Sequence, residues 1–432
     1  MKEKKEKISL PKGTKDIGDP EIFIWYHVEN VVRQEAAHYH YIELRTPLFE
    51  HTELFARGVG EETDIVQKEM YTFLDKGGRS ITLRPEGTAP VMRSYLEQNL
   101  HIHNPRMKYF YMGPMFRYER PQAGRMRQFH QFGFEAIGFQ SPASDAEVIL
   151  LADRIYQKIG LKNIRLEINS LGCKNCKPQY LEALKNYLRN QATQFCRNCS
   201  NRIDTNPLRV LDCKNESCQN LLHSEDFPII QNFLCEECLA HQSQLIHILE
   251  NAQIHSVINP YLVRGLDYYI KTTFEMKTEE LGAQNAIGGG GRYDNLSDAL
   301  GVKGVPGVGF AAGIERIILL LQKQNSSKEF FQKPFIYLSP LDQQGESLLL
   351  QLSIMLDEKS IPFYLDFSDK SLKYHFKNAQ RMEAHFIIIA GENEYQTKTY
   401  TLKNLLTGEQ KVVSQETLIG VLLEAYQNVK NT

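Results

Sequence analysis

The residues best suited to chemistry in this sequence are arginines set among carboxylates and phenols. GPMFRYERPQAGRMRQFHQFGFE, residues 113–135, alternates as a β-hairpin would. It nevertheless carries Arg117, Arg120, Arg125 and Arg127 together with Glu119 and Glu135. On an extended strand Arg117 and Glu119 share a face with Tyr109, Tyr111, Gly113 and Met115. On the returning strand Gln131, Gly133 and Glu135 share one face, and Phe132, Phe134 and Ala136 the other. If the polar faces meet one cavity, it offers a fixed cation, a carboxylate and an amide. That mixture suits a ligand bearing both phosphate and amine. An exposed sheet laced with cross-strand ion pairs is the plainer alternative.

Four further stretches add chemistry-bearing side chains. In TLRPEGTAPVMRSYL, Pro85 and Gly87 break the chain around Glu86, which then either points into a pocket toward an ammonium group or serves as a first-turn helix acid. LVRGLDYYIKTTFE packs Arg264, Asp267, Tyr268 and Tyr269 into one short span; the rival reading is a half-buried strand with aromatic packing. AIGGGGRYDNL runs from four glycines, Gly288–Gly291, into Arg292, Tyr293 and Asp294, and such a run permits close backbone approach to a ligand. GIERIILLL sets Arg316 in the first turn of an apolar helix, where the dipole disfavours a cation unless a polyphosphate is bound. Neither GxxxxGK[ST] nor a GxGxxG opening a helix after a strand is present. Any ATP must therefore be held by arginines on an antiparallel sheet.

The eight cysteines form a separate group: Cys173 and Cys176, Cys196 and Cys199, Cys213 and Cys218, Cys235 and Cys238. Three CxxC knuckles and one CxxxxC could supply two zinc sites of four thiolates each, with free reduced thiols as the alternative. Which pairs share a metal is not readable from spacing. The role would be structural, in a segment short of apolar residues.

These groups need elements to position them. At 432 residues, 42% hydrophobic and 24% charged, the chain is long enough for two or three globular domains. Fifty Lys and Arg against 52 Asp and Glu give a formal charge of -2, so a nucleic-acid partner must use local basic patches. MKEKKEKISL lacks the apolar core of a signal peptide, and no run reaches the ~18 apolar residues of a membrane span. A cytoplasmic location and no membrane partner are expected. Residues 1–7 are expected to fray, and a helix is expected over Ile22–Ala37, followed by a β-like stretch, YIELRTPLFE. SDAEVILLADRIYQKIG reads as a helix capped by Ser144 with Glu147 in the capping-box position. In the helix after Gly313, Ile314, Ile317, Ile318 and Leu321 mark a buried face. A polar linker, KQNSSKEFFQ, leads to a C-terminal unit alternating strands FIYLSP, PFYLDF and FIIIAG with helices, which predicts a small α/β domain with a mostly parallel sheet. There Lys373, Lys377 and Arg381 share a helix face opposite Leu372, Phe376 and Ala379, a basic face suited to RNA phosphate or simply solvated.

The hairpin 113–135 resembles motif 2 of class II aminoacyl-tRNA synthetases, and GVGFAAGIERIILLL resembles motif 3. LVRGLDYY followed by GGGRYD resembles the two signature segments of histidyl-tRNA synthetases. RTPLFEHTELFARGVGEETDIVQKEMYTF is similar to the dimer-forming motif 1 region, TLRPEGT to the amino-acid-binding turn, and SLKYHFKNAQRM with NLLTGEQ to the anticodon-binding domain. The resemblance implies an α+β catalytic core of class II synthetase type on an antiparallel sheet (1–170 and 256–325). An inserted Cys-rich domain (171–255) and a C-terminal α/β anticodon-binding domain (332–432) complete it. It implies a homodimer that ligates L-histidine to tRNA(His), using ATP with Mg2+ and a histidyl-adenylate intermediate. Arg117 would then hold the α-phosphate, Arg316 the γ-phosphate, and Arg264 would stabilise the transition state. Glu119 and Arg125 would join Arg117 and Arg316 around ATP. Glu86, Thr88 and Gln131 would bind the α-amino group. Glu135 and Tyr269 would hydrogen-bond the imidazole, with Tyr268 and Tyr293 completing the pocket, while Gln122 and Arg127 would meet the tRNA acceptor end. The same family includes a catalytically dead relative, the regulatory subunit of ATP phosphoribosyltransferase, which typically lacks the anticodon domain and loses catalytic arginines. A zinc-stabilised RNA-binding protein without catalysis is the third class of reading.

Overall fold

A computed structural model describes residues 8–122, 124–282, 285–324 and 333–430. Residues 1–7 and most of the expected linker 323–332 lie outside them. Two compact units, 1–330 and 331–432, divide the chain.

Among the described residues, the first unit has eleven strands in two sheets: β1 (Ile42–Glu43), β2 (Phe49–His51), β3 (Tyr71–Leu74), β4 (Ser80–Leu83), β5 (Met107–Phe116), β6 (Gln128–Ile137), β7 (Arg165–Ser170), β8 (Ser256–Ile258), β9 (Ile270–Lys277), β10 (Ala286–Arg292) and β11 (Gly307–Gly313). The large sheet runs β1-β5-β6-β11-β10-β9-β7-β8, and β2, β4 and β3 form a small one. The six central strands of the large sheet are antiparallel, as expected, but both edges differ: β1 lies parallel to β5, and β8 parallel to β7. A hairpin cannot make a parallel pair, so each edge strand arrives by a long connection.

The alternation in β5 and β6 sorts side chains to two faces. Phe110 stacks on Phe134 at 5.6 Å between ring centres, and Phe134 stacks on Phe310 at 5.3 Å. That face is covered by the helices Ile22–His38, Pro142–Ile159 and Ile314–Lys323, whose Val28, Val32, Ile149, Ile317 and Leu321 are buried against it. Each such side chain gains about 1.5–3 kcal/mol by leaving water, which fixes the register and turns Glu135 to the opposite face. β5 ends at Phe116, so Arg117 and Glu119 stand beyond the strand rather than on its face; Arg117 N–H still donates to Arg127 O at 2.9 Å. The Pro142–Ile159 helix is capped by Ser141, not Ser144: Ser141 Oγ accepts from Ala143 N, with Pro142 in the first turn. Ser144 instead donates to Ser141 O and accepts from Arg292 Nη2.

The Cys-rich segment belongs to this first unit. It is built from two longer helices, Lys177–Asn190 and Glu236–Asn251, and two short ones, Arg197–Arg202 and Glu216–Leu222, with single turns at Pro207–Val210 and Ile230–Phe233. The second unit has β12 (Ile336–Pro340), β13 (Phe363–Leu365), β14 (Phe386–Ala390), β15 (Thr399–Asn404) and β16 (Gln410–Ser414), in the order β13-β12-β14-β15-β16. Its first three strands are parallel, but β15 and β16 add an antiparallel hairpin, so the sheet is mixed rather than mostly parallel. Lys373, Lys377 and Arg381 are exposed on their helix as expected. The buried face opposite differs: His375, Asn378 and Ala379 are buried, while Leu372 is exposed. His375 and Asn378 are drawn inward by bonds to Tyr337, and Asn378 also reaches Asp366.

Candidate active site

The face of the large sheet away from the helices gathers most of the expected residues. Glu135 on β6 is buried at its centre. Tyr293 Oη donates to its Oε2 at 2.6 Å and Thr88 Oγ1 to its Oε1 at 2.7 Å. Gly309 makes room: a Cβ there would lie 1.9 Å from Glu135 Oε2. Tyr268 packs against Tyr269 and Tyr293, at 4.7 and 5.8 Å between ring centres. Glu86 joins this cluster with both oxygens on the first amides of the Thr88–Glu97 helix: Oε2 accepts from Thr88 N at 2.6 Å and Oε1 from Ala89 N at 2.9 Å. The helix-acid role and the pocket-facing role therefore coincide. Burial pushes the Glu86 carboxyl above its ordinary value, against those amides and Arg117. Burial pushes Glu135 further, up to about 8, against Tyr293 and Thr88 and with the Glu86 charge adding.

Three buried polar atoms in this pocket have no hydrogen-bond partner among the described residues: Gln131 Oε1, Tyr268 Oη and Tyr111 Oη. Both hydroxyls lie beside Thr88. An unsatisfied buried polar group costs about 1–3 kcal/mol, so three together mark where polar atoms of a small ligand belong. Tyr111 is a residue that sequence reasoning left out of the site. It faces Gly133 across the β5/β6 pair and lies against Gly87; a Cβ on either glycine would come within 2.3 Å of its ring. A tyrosine in an alternating strand reads as core, and only the register reveals the two glycines that seat it.

A second cluster is cationic. Arg117 donates from Nε to Pro85 O at 2.9 Å and lies over the Phe129 ring. Arg125 Nη1 pairs with Glu119 Oε2 at 2.8 Å, and Arg117 Nη1 lies 4.0 Å from Glu119 Oε1. Arg316 reaches back from its helix to Gly124 O (3.2 Å) and Ala286 O (2.6 Å). Burial, then the neighbouring Arg125, lowers the Arg316 guanidinium below its ordinary value; Arg117 acts with them, and Glu119 and Glu275 against. Like charges held this close are arranged for an anionic ligand. Glu315, also missed, anchors this helix: it accepts from His130 N at 2.9 Å and bonds His130 Nδ1 at 2.9 Å.

Arg264 bridges the clusters. Its Nη1 pairs with Glu275 on β9, and Glu275 Oε2 is 3.2 Å from Lys277. Burial opposes the Arg264 charge, and Glu275, Tyr269, Asp212 and Tyr268 together more than offset it. Glu275 was not anticipated, because a strand glutamate carries no sign of its partner. The two expected RNA contacts border the cationic cluster, and Arg127 Nε donates to Glu119 O at 3.3 Å. Gln122 pairs backbone to backbone with Arg125 at the hairpin tip, and the Arg127 guanidinium stacks 3.9 Å over Tyr118.

The eight cysteines fall into two sets that spacing had left open: Cys173, Cys176, Cys235 and Cys238, and Cys196, Cys199, Cys213 and Cys218. Sulfurs lie 3.7 Å apart for Cys173–Cys176 and Cys176–Cys238, 3.8 Å for Cys173–Cys235 and 3.9 Å for Cys196–Cys213. A tetrahedral ion with Zn–S bonds of about 2.3 Å sets its sulfurs about 3.8 Å apart, so the donor sets fit zinc. Backbone amides of Asn175, Cys196 and Asn215 donate to Cys173, Cys218 and Cys213, as thiolates require.

Comparison with known proteins agrees with this geometry. A family model described as histidyl-tRNA synthetase matches residues 13–317, and one described as anticodon binding domain matches 336–425. The histidine–tRNA ligase of Halothermothrix orenii is 46% identical over 98% of this chain and 99% of its own. The crystal structure of apo S. aureus histidyl-tRNA synthetase superposes with a TM-score of 0.79 at 36% identity, covering 96% of this chain and 100% of that one. An ATP phosphoribosyltransferase regulatory subunit/histidyl-tRNA synthetase from Bacillus halodurans C shares the fold, with a TM-score of 0.64 at 19% identity over 89% of this chain and 98% of that one. With both units matched and a relative this similar along almost the whole length, the chain belongs to the histidyl-tRNA synthetase family.

Proposed function

We propose that this chain is a histidine–tRNA ligase whose carboxylate and phenol pocket grips the imidazole beside an arginine cluster that grips ATP. A histidine carboxylate oxygen attacks the α-phosphorus; the new P–O bond forms as the bond to pyrophosphate breaks, giving histidyl-adenylate. A terminal ribose hydroxyl of tRNA(His) then attacks the carbonyl, and AMP leaves. Neither step needs a protein nucleophile, only orientation and cations where charge develops. Glu135 and Tyr269 bind the imidazole nitrogens, Tyr268 and Tyr293 close around the ring, and Glu86, Thr88 and Gln131 take the α-amino group. Arg117 and Arg125 hold the phosphates near the reacting centre, Arg316 the terminal one, and Arg264 faces the attacked phosphorus. Mg2+ bound with ATP would offset phosphate charge, and Glu119, the acid within the arginine cluster, would help to hold it. Gln122 and Arg127 receive the acceptor end of tRNA.

The domain organisation we assign is a core of 1–170 and 256–325, a Cys-rich insert over 171–255 holding two structural zinc ions, and an anticodon-binding domain over 332–432, whose Lys373, Lys377 and Arg381 meet tRNA phosphates. The working form is a cytoplasmic homodimer. No described helix is long and apolar enough to cross a membrane. The observation that carries the catalytic reading is the approach of Arg117 and Arg125 of the hairpin loop and Arg316 of a distant helix around one acid. A regulatory, non-catalytic relative has no use for that cluster. Histidine-dependent ATP–pyrophosphate exchange tests it: activity with histidine and none with other amino acids is expected, and no exchange with any amino acid refutes it.

A further inference from the structure

We infer that the cysteine set Cys196, Cys199, Cys213 and Cys218 is a metal site that controls the reaction, because it holds a strap, residues 200–212, across the loop carrying Arg264. The inference rests on the ligase reading above. The two thiolate sets do different work. Cys173, Cys176, Cys235 and Cys238 tie the first residues of the insert to the start of its last helix, Glu236–Asn251. The second set lies farther along and closes only the strap. That strap holds the end of a six-residue helix, Arg197–Arg202, and a four-residue turn, Pro207–Val210. Segments this short do not hold their shape alone, so a cross-link at Cys199 and Cys213 supplies the order.

What the strap touches is the site. Arg202 Nη2 pairs with Asp64 Oδ2 at 2.7 Å, and Arg209 Nη2 lies 3.6 Å from the same oxygen. Asn206 Nδ2 donates to Asp267 Oδ1 at 3.3 Å, and Asp267 N in turn donates to Val59 O. Arg209 comes within 3.6 Å of where a Cβ on Gly265 would stand. One strap thus clasps the loop that bears Arg264, Tyr268 and Tyr269. It also clasps the Val59–Asp64 turn, whose following helix ends at Glu69, the acceptor for Tyr118 N beside Arg117. Loss of the cross-link frees the strap, and both loops lose their stop. A misplacement of about 1 Å costs on the order of 100-fold in rate.

The experiment uses the full chain, with zinc counted by elemental analysis and the reaction followed by ATP–pyrophosphate exchange. Two zinc ions per chain are expected in the unaltered protein; none would overturn the inference. Cys213→Ser with Cys218→Ser should leave one ion, lower kcat/KM for histidine by about 10- to 100-fold, and quicken amide hydrogen exchange in residues 262–269. Arg202→Ala with Asn206→Ala should keep both ions and give the same kinetic defect. Unaltered kcat/KM in both variants, or unaltered hydrogen exchange at 262–269 in the cysteine variant, overturns the coupling. If the cysteine variant fails to fold, the Arg202/Asn206 variant decides alone, by its kinetics and its exchange at 262–269. If the unaltered protein has no histidine-dependent activity, it is the ligase reading that fails, and the hydrogen-exchange comparison still judges the strap.

Discussion

Glu135→Gln tests the pocket through pH. In the free protein burial pushes the Glu135 carboxyl up to about 8, so it keeps its proton at neutrality. Free imidazole loses its proton near about 6.5. A carboxyl–imidazole pair that shares one proton therefore forms without net proton exchange between about pH 6.5 and about 8. Below that window the one-proton pair forms only by releasing a proton, and above it only by taking one up, so binding weakens on both sides. kcat/KM for histidine should be level across the window and fall on both sides. Glutamine keeps the size and the contacts of Thr88 and Tyr293 but cannot ionise, so the alkaline limb near 8 should vanish. The loss of one hydrogen bond with a charged partner, about 1.5–3 kcal/mol, should lower kcat/KM roughly 10- to 150-fold. Stability gives a second reading. The folded carboxyl titrates above its ordinary 4.5, so its contribution is full below 4.5 and is lost as pH rises toward 8. Urea midpoints of the Gln variant should fall less between pH 5 and pH 8 than those of the unaltered protein. An intact alkaline limb in the Gln variant, or kcat/KM within about twofold of the unaltered protein, would refute the assignment.

Arg264→Ala should lower ATP–pyrophosphate exchange by about 100- to 1,000-fold with an unchanged circular dichroism spectrum; exchange near the unaltered rate removes Arg264 from its role. Tyr111→Phe deletes a buried hydroxyl without a partner, so unfolding free energy should rise, by up to about 1–3 kcal/mol, while KM for histidine rises about tenfold, read by urea titration and exchange kinetics. Asp145→Asn should cost about 3–5 kcal/mol, because Arg292, 1% exposed, loses its buried carboxylate partner and keeps only Asp294, at 3.2 Å. Against burial, His241 and Arg292 hold Asp145 below its ordinary value, so its contribution is present above about 3.8 and is lost as pH falls through the folded value. Acid titrations of the two proteins should converge there.

How much of this was legible in the sequence depends on the range over which each feature is decided. The helix Ile22–His38, the β5/β6 hairpin and the apolar stripe Ile314, Ile317, Ile318 and Leu321 were readable, because periodicity is a local property. Ser144 was the wrong cap, since Ser141 Oγ takes the Ala143 amide and Pro142 starts the helix three residues earlier. Leu372 was placed in the core because leucine usually goes there. Tyr337 and Asp366, distant in sequence, make His375 and Asn378 the better buried face.

The site itself divides the same way. Arginine and carboxylate types at Arg117, Glu119, Glu135, Arg264 and Arg316 announce phosphate chemistry, but nothing local says that they meet. Meeting is decided by the sheet order, which places β11 between β6 and β10 and so brings the start of the Ile314–Lys323 helix to the hairpin loop. Tyr111 and Glu275 escaped notice for that reason: each is ordinary in its own strand and becomes special through a residue on another segment, Gly87 and Gly133 for the first, Arg264 for the second. The cysteines are the inverse case. Their chemistry was legible from spacing within each pair, yet the partition joins Cys173 to Cys235 across 62 positions and Cys196 to Cys213 across 17. Only that partition separates a staple between the insert's first residues and its last helix from one beside the Arg264 loop. A change at Cys213 should therefore act on histidine activation through the strap, by way of Asn206 and Asp267.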